Sequence, residues 1–465
     1  MPTRIDRARF EAFTFGFRGS GDQEYWHAVA YWSTHDNDAL AALFYVEKAD
    51  SYLGVLFLRN DHQRFLPHGP LVPFSTLQEG ENSIYQKLSE IEGREADLVC
   101  PPADGKPGID LFSVKHDGNL SPIFENIRDT THSQAAREQL QEIANWFIDG
   151  DGNFVREFQT NGTNARLWEL YLFRVFHALD LDIDQSIAIP DFALEHKGRK
   201  LFVEAVTANS QNKDPIDLMA GPTPMPENFW QFIENDMPII FGSPLFSKMK
   251  KAYWEREPVK DNPFALAIAD FHTPGSMVWS HTALSIYLYG TSVKRVMGPE
   301  GYEVAIPKPL WDHVRGAKVI PSNFFSQPGA ENVSAIIFSN AGTKAKFSRM
   351  GTLAGFGDPS MSIRRIGTLS NPAPGALDGI PFDINIKNGK YTEEWADELE
   401  IYHNPNAVHP WPDETILPKA THFKEKDREF IWAGAPFRVL NSYTQVIEKP
   451  PFSTVESTNR EDSRK

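Results

Sequence analysis

Cysteine is almost absent: Cys100 is the one thiol in 465 residues, so no internal disulfide can form. A reducing cytoplasm is the compartment that suits such a chain, and Cys100 reads as a buried thiol with no catalytic role. No stretch approaches the ~18 consecutive apolar residues of a membrane span. The opening Met1-Pro2-Thr3-Arg4-Ile5-Asp6 has no apolar core of a secretory signal. Positive charge is also scarce, with 46 Lys and Arg against 62 Asp and Glu, a net −16. The deficit is uneven: residues 1–150 hold 23 acids against 13 bases, 151–300 hold 19 against 14, and the remainder 20 against 19. Proteins that coat duplex DNA non-specifically are basic, because phosphate contacts dominate that affinity. A chain this acidic can act on nucleic acid only through a local basic groove, a bound cation or a partner that delivers the substrate.

What is present is an ordinary globular mixture, 41% hydrophobic and 23% charged, long enough for two or three domains. Thirty-four prolines and 12% aromatic residues indicate many turns rather than long bundles. Residues 1–128 read as an α/β domain, with strands at Tyr25–Tyr31, Ala39–Tyr45 and Tyr52–Leu58 and a helix at Asn82–Ile91. Pro101–Gly108 is a loop, and a helix over Ser133–Phe147 leads into a core spanning 129–350. There the pattern predicts a helix at Ala165–Leu179, a strand at Ile183–Ile187 and a hairpin of Asp191–Glu195 with Leu201–Val206. An irregular stretch, Asp214–Pro238, precedes a helix from Pro244 to Arg256, with Ser243 as its N-cap. A strand at Phe264–Ala269 and a helix at Ser276–Leu288 follow, giving the order αβββαβ, and Val333–Ser339 adds a strand to the same sheet. Residues 351–448 form a β-rich region with one helix near Thr392–Leu399, and 449–465 a disordered tail.

Three acids stand out by their surroundings. Glu169 lies in Leu167-Trp168-Glu169-Leu170-Tyr171-Leu172-Phe173, apolar almost all round. Asp191 follows Pro190, which favours extended backbone at the start of a strand. Glu204 interrupts the apolar strand Leu201-Phe202-Val203-Glu204-Ala205-Val206. Buried carboxylates are costly unless compensated, and a divalent cation is the strongest compensator. The plainer alternatives are an ion pair of Glu169 with Arg166 one turn earlier, and capped or solvated acids elsewhere.

In these pieces the chain resembles the PD-(D/E)XK nuclease superfamily: Glu169 in the first helix, Pro190-Asp191 opening a strand, and Glu204-Ala205-Val206 in the next, over about residues 163–271. The resemblance implies a restriction-endonuclease-like core, with Glu169, Asp191 and Glu204 as catalytic acids that bind Mg²⁺ or Mn²⁺. It further implies a nucleic-acid substrate, DNA ahead of RNA, with room for a homodimer; a part in bacterial defence follows by analogy only. The chain departs from the pattern at Val206, where the superfamily places a lysine. Lys248, flanking the helix stripe of Leu245, Met249, Ala252 and Tyr253, is the substitute best placed, ahead of Lys200 and Lys213; Lys250 and Lys251 suit phosphate contacts, and the plain alternative is that Lys248 to Lys251 is a solvated helix face. The whole chain also resembles a group of bacterial proteins without assigned activity that sometimes carry the label "glycosaminoglycan attachment site", a function no residue pattern here supports.

Other patterns weigh less. Asp149-Gly150-Asp151-Gly152 lacks calcium-loop spacing and reads as a turn. His272 after Asp270-Phe271 is either a proton-transfer group or an ordinary loop histidine. His403, His409 and His422 fit no zinc spacing, and the glycines at 351, 355 and 357 belong to no phosphate loop. Two further readings stay open: a lysine-deficient nuclease fold that only binds nucleic acid or protein, and a hydrolase built around His403–His422.

Overall fold

The computed structural model describes the chain apart from residues 18–25, 93–104, 117, 210–225, 274–279, 300–302, 374–375, 377, 427–428, 436 and 449–465. Cys100, Lys213, the tail, much of the Pro101–Gly108 loop and the start of the helix expected at Ser276 thus lie outside the described residues.

The architecture is α/β. Its centre is an eight-stranded mixed sheet in the spatial order 429–433, 421–426, 400–403, 335–338, 264–271, 199–209, 192–196, 182–183. Strand Phe264–Phe271 runs parallel to both of its neighbours, Arg199–Asn209 and Ala335–Phe338. Both faces are covered, so the middle strands are continuous apolar runs, and all eight residues of Phe264–Phe271 are buried. On one face Leu201, Val203, Ala265, Ala267 and Ile337 pack against the helix Thr163–Ala178. On the other, Phe202, Val206, Leu266, Ile268 and Ile336 meet Phe241, Leu245 and Met249 of the helix Met237–Met249. Trp168 ties the first helix down: its indole Nε1 donates to the Ala267 carbonyl at 3.0 Å, and Gly342 lies so close that a Cβ there would sit 2.3 Å from the ring.

The N-terminal strands Thr3–Ile5, Trp26–Ser33, Ala39–Val46, Ser51–Arg59 and Phe65–Phe74 form an antiparallel sheet in chain order. The helix Leu77–Glu92 covers one face through Ile84, Leu88 and Ile91. On the other face, Phe10 and Phe13 of the helix Arg7–Thr14 join Ala135, Ala354 and Phe356. Strands Met361–Leu369, Ile380–Asn385 and Val439–Glu448 make a third sheet. No helix among the described residues is long and apolar enough to cross a membrane.

Several elements differ from expectation. The helix carrying Lys248 starts at Met237 and ends at Met249, with Pro244 inside it rather than at its first turn. The buried run Met237-Pro238-Ile239-Ile240-Phe241 drives the earlier start, because tertiary burial outweighs the one backbone bond that Pro244 cannot make. Helical turns over 229–236 occupy the end of the stretch expected to be irregular. The strand expected over Ile183–Ile187 shortens to Asp182–Ile183. Around Thr392–Leu399 the chain makes a turn, not a helix, since Glu393 is drawn into a buried ionic cluster with Lys346 and Arg349. Those two bases sit on the helix Lys344–Leu353, which the sequence reading missed.

Trp168→Ala should destabilise the protein by about 3–5 kcal/mol through the cavity and the lost indole bond. Trp230→Ala, at a half-exposed side chain, should stay within about 0.5 kcal/mol. Denaturant midpoints of the two variants against the parent check the contrast.

Candidate active site

Glu204 is 4% exposed, on the sheet face covered by the helix Met237–Met249. Its neighbour strand is in register as Phe192↔Val203, so one further step sets Asp191 beside Glu204. Two bonds fix that meeting: the Ala205 N–H donates to Asp191 Oδ2 at 2.7 Å, and the Asp191 N–H points to Glu204 Oε2 at 3.4 Å. From the helix, Lys248 Nζ closes on Glu204 Oε1 as a partly buried ion pair. The Tyr253 hydroxyl donates to the same oxygen at 2.6 Å. Ala252, at φ +46°, turns the chain past the helix end before Tyr253.

Glu169 approaches from the helix on the other face. Arg166 donates to its Oε2 at 2.6 Å and holds Glu157 with its other two nitrogens, so the ion pair of Glu169 with Arg166 exists. Glu169 and Asp191 share a cleft of about 210 Å³ whose wall also includes Asp149, Asp151 and Asp184. Asp191 is solvent-exposed along that wall although protein surrounds it on most sides. Each of the three carboxylates spends one oxygen on a protein donor. Among the described residues no donor reaches Glu169 Oε1 or Asp191 Oδ1, and Glu204 Oε2 has only the long contact from Asp191.

The electrostatics follow from that crowding. Burial, then the Asp191 charge, pushes the Glu169 carboxyl up to about 8, against the pull of Arg166 and Lys248. Burial and the Glu204 charge raise Asp191 to about 6. Tyr253 is raised well above the ordinary phenol by burial and by its bond to Glu204, so it stays a donor. Among the described residues no group of three or more His, Cys, Asp or Glu side chains is gathered closely enough to hold a metal ion as it stands. Glu169 makes no hydrogen bond to either of the other acids.

Of the sequence-predicted residues, Asp191, Glu204 and Lys248 are thus joined, and Glu169 faces Asp191 across the cleft. Lys200 stands opposite Glu195 at the exposed end of the hairpin, four residues from Glu204 along the strand. The Asp149–Gly152 segment is a turn: Asp149 accepts from the N–H groups of Asp151, Gly152 and Phe154. His272 Nδ1 lies 2.6 Å from buried Asp270. His403 and His422 bond to each other at 2.8 Å, and His422 also meets the Leu417 carbonyl. Burial and its partner push His403 down to about 4, which makes a neutral packed pair. Gly355 and Gly357 are left-handed turn glycines. The periodic pattern places Tyr253 only in the apolar stripe beside Lys248; it gives no sign of the bond to Glu204, because the helix ends at Met249 and Tyr253 comes in from the turn beyond it.

Neither a scan against protein-family models nor searches of curated proteins and of solved structures find a match for this chain.

The raised Glu169 carboxyl makes stability depend on pH in a definite direction. Folding strengthens its hold on a proton, so its contribution is whole below the ordinary 4.5 and disappears as pH climbs through about 8. In EDTA, the melting temperature of the parent should fall between pH 5 and pH 8 (a range set by the two values) more than that of Glu169→Gln. Equal slopes for the two proteins would show that Glu169 is not held protonated.

Proposed function

We propose that this chain is a metal-dependent nuclease with a restriction-endonuclease-like core, hydrolysing phosphodiester bonds in nucleic acid, with Lys248 supplying the ammonium that Val206 cannot. The observation that carries this reading is the meeting of Lys248 with the cross-strand pair Asp191–Glu204. A lysine at the Val206 position would have pointed along the same face as Glu204; an ammonium from the adjoining helix arrives at the same carboxylate by another route. The helix–strand–strand–strand–helix–strand order around it supports the same reading.

The donor set suits a hard divalent cation, Mg²⁺ or Mn²⁺. Glu169 Oε1, Asp191 Oδ1 and Glu204 Oε2 are carboxylate oxygens without strong protein donors, and two of these carboxyls are forced toward protonation by burial and then by a neighbouring charge, Asp191 at Glu169 and Glu204 at Asp191. Asp191 and Glu204 would hold the ion, with Glu169 reaching it across the cleft. Such an ion supplies an acidified water and charge stabilisation at the phosphate. Lys248 places positive charge beside Glu204 and orients the attacking water through its ammonium hydrogens. Tyr253 keeps the Glu204 carboxylate turned so that Oε2 faces Asp191. Arg166 holds Glu169 on the cleft wall and limits its charge.

The second reading is a nuclease fold that binds nucleic acid or a partner protein without cutting it; Glu169 standing apart from the other two acids favours it. Incubating the purified chain with plasmid, single-stranded DNA and RNA in Mg²⁺ and in Mn²⁺ separates the two. Asp191→Ala, Glu204→Ala and Lys248→Ala should each lower cleavage by about 10²–10³-fold or more. Cleavage that survives both carboxylate changes sinks the assigned site. Nucleic acid bound without cleavage, and no Mg²⁺ or Mn²⁺ uptake by calorimetry, selects the binding module.

A further inference from the structure

The helix that carries Lys248 shows a second face that the chemistry leaves unused. Ser243, Phe246, Ser247 and Lys250 are all exposed, at spacings of three, four and seven, so they form one stripe about 10 Å long. At one end the hairpin Asp312–Arg315/Lys318–Pro321 lies across the helix, and Lys318 Nζ donates to Ser243 Oγ at 2.8 Å. At the other end Lys250 holds its ammonium over the Phe246 ring, 4.5 Å from the centroid, with exposed Lys251 beside it.

Some bases around this helix are neutralised: Lys308 by Glu234, Arg315 by Asp236 and Lys248 by Glu204. Lys250, Lys251 and Lys318 have no acidic partner among the described residues. Lys248 to Lys260 holds five bases against two acids, in a chain whose net charge is −16. An acidic protein that leaves three ammonium groups unpaired along one line, one of them stacked on an exposed phenyl ring, has a surface suited to a polyanion with flat faces. Duplex DNA offers phosphates but hides its bases in the stack; a single strand offers both.

We infer that the stripe Lys318–Ser243–Phe246–Lys250–Lys251 is the track along which a single-stranded nucleic acid runs beside the site, its phosphates on the three lysines and a base on Phe246. This deepens the nuclease reading and rests on it. Lys250 serves both functions, since its ammonium over the ring stiffens Phe246 as a stacking platform. The lysines also supply the local positive potential that the chain lacks as a whole.

Fluorescence anisotropy of a labelled single-stranded oligonucleotide, titrated with the intact protein in EDTA, tests the track without requiring cleavage. Lys250→Gln with Lys251→Gln should weaken binding about tenfold and lower the salt slope by about 1.4, the value for two phosphate contacts on a single strand. Phe246→Ala should weaken it about fivefold or more with the slope unchanged. Because all these side chains are exposed, the variants should keep the parent's melting temperature. Parent affinity unaltered by these changes, or a duplex bound more tightly than the single strand, overturns the track while leaving the cleavage assay to judge the nuclease reading. A parent that binds neither form also overturns the track, and the cleavage assay in Mg²⁺ and Mn²⁺ still judges the nuclease reading. If the track holds and the cleavage assay fails, the binding-module reading stands with it.

Discussion

The buried charge of Glu204 organises the site. A carboxylate 4% exposed within a strand of apolar residues must be matched by donors, and the cost of leaving it unmatched is several kcal/mol. Lys248 and Tyr253 supply the match on Oε1, and both come from one segment, the end of the helix Met237–Met249 and the turn after it. The demand of one carboxylate therefore pins that helix end against the sheet. Register does the rest. With Phe192 opposite Val203, the residue after Pro190 can only fall beside Glu204, and the Ala205 N–H beyond the ladder is left to bond Asp191. A slip of one residue would move Asp191 away from Glu204 and turn Phe192 and Leu194 out of the core.

Glu169 is held by a different constraint. Its helix is anchored to the opposite face by Trp168, whose indole bonds the Ala267 carbonyl, so the carboxylate's position depends on packing rather than on the other acids. Arg166 then satisfies one oxygen and leaves the second facing Asp191's cleft. Burial is the first cause of the raised proton affinity of both acids, and a neighbouring charge adds to it: Asp191 at Glu169, and Glu204 at Asp191. The buried cluster of Lys346, Arg349, Glu393, Arg365 and Glu398 shows the other outcome in the same protein. There bases outnumber acids, the pairing is mutual, and Glu393 is held well below the carboxylate range despite full burial. That cluster is satisfied within itself; in the Glu169–Asp191 cleft each carboxylate keeps one oxygen without a donor among the described residues.

Much of this was legible in the chain. Alternation and apolar runs placed the strands, and acids in apolar settings marked Glu169, Asp191 and Glu204, because a charge amid Leu, Phe and Val is informative wherever it occurs. Less legible was anything that depended on where elements dock. Pro244 looked like a helix start since proline suits a first turn, yet the burial of Ile239 and Phe241 carried the helix through it. Thr392–Leu399 had helical composition, but Glu393 is claimed by Lys346 and Arg349 from a distant helix. Tyr253 was legible only as a member of an apolar stripe; the left-handed Ala252 takes it out of the helix, and its bond to Glu204 depends on that turn. Lys248 was chosen from its helix face alone; only the docking angle of that helix decides that its ammonium reaches Glu204.

On the proposed reading, carrying the ammonium on a helix rather than on a strand changes what controls it. A lysine two residues after Glu204 would be held by the sheet ladder, as rigid as the carboxylate itself. On the helix Met237–Met249 its position follows the packing of Phe241, Leu245 and Met249 against Val206, Leu266 and Ile268. Val206 itself forms part of the surface on which that helix sits. The same helix turns its outer stripe of Phe246 and Lys250 to solvent. One rigid element therefore carries the inner ammonium and the outer ones at fixed spacing, and whatever lies along the stripe is held in register with Glu204. In a chain with so large a negative charge, the proposed attraction for a polyanion would be confined to that line, carried on the same helix whose Lys248 meets Glu204.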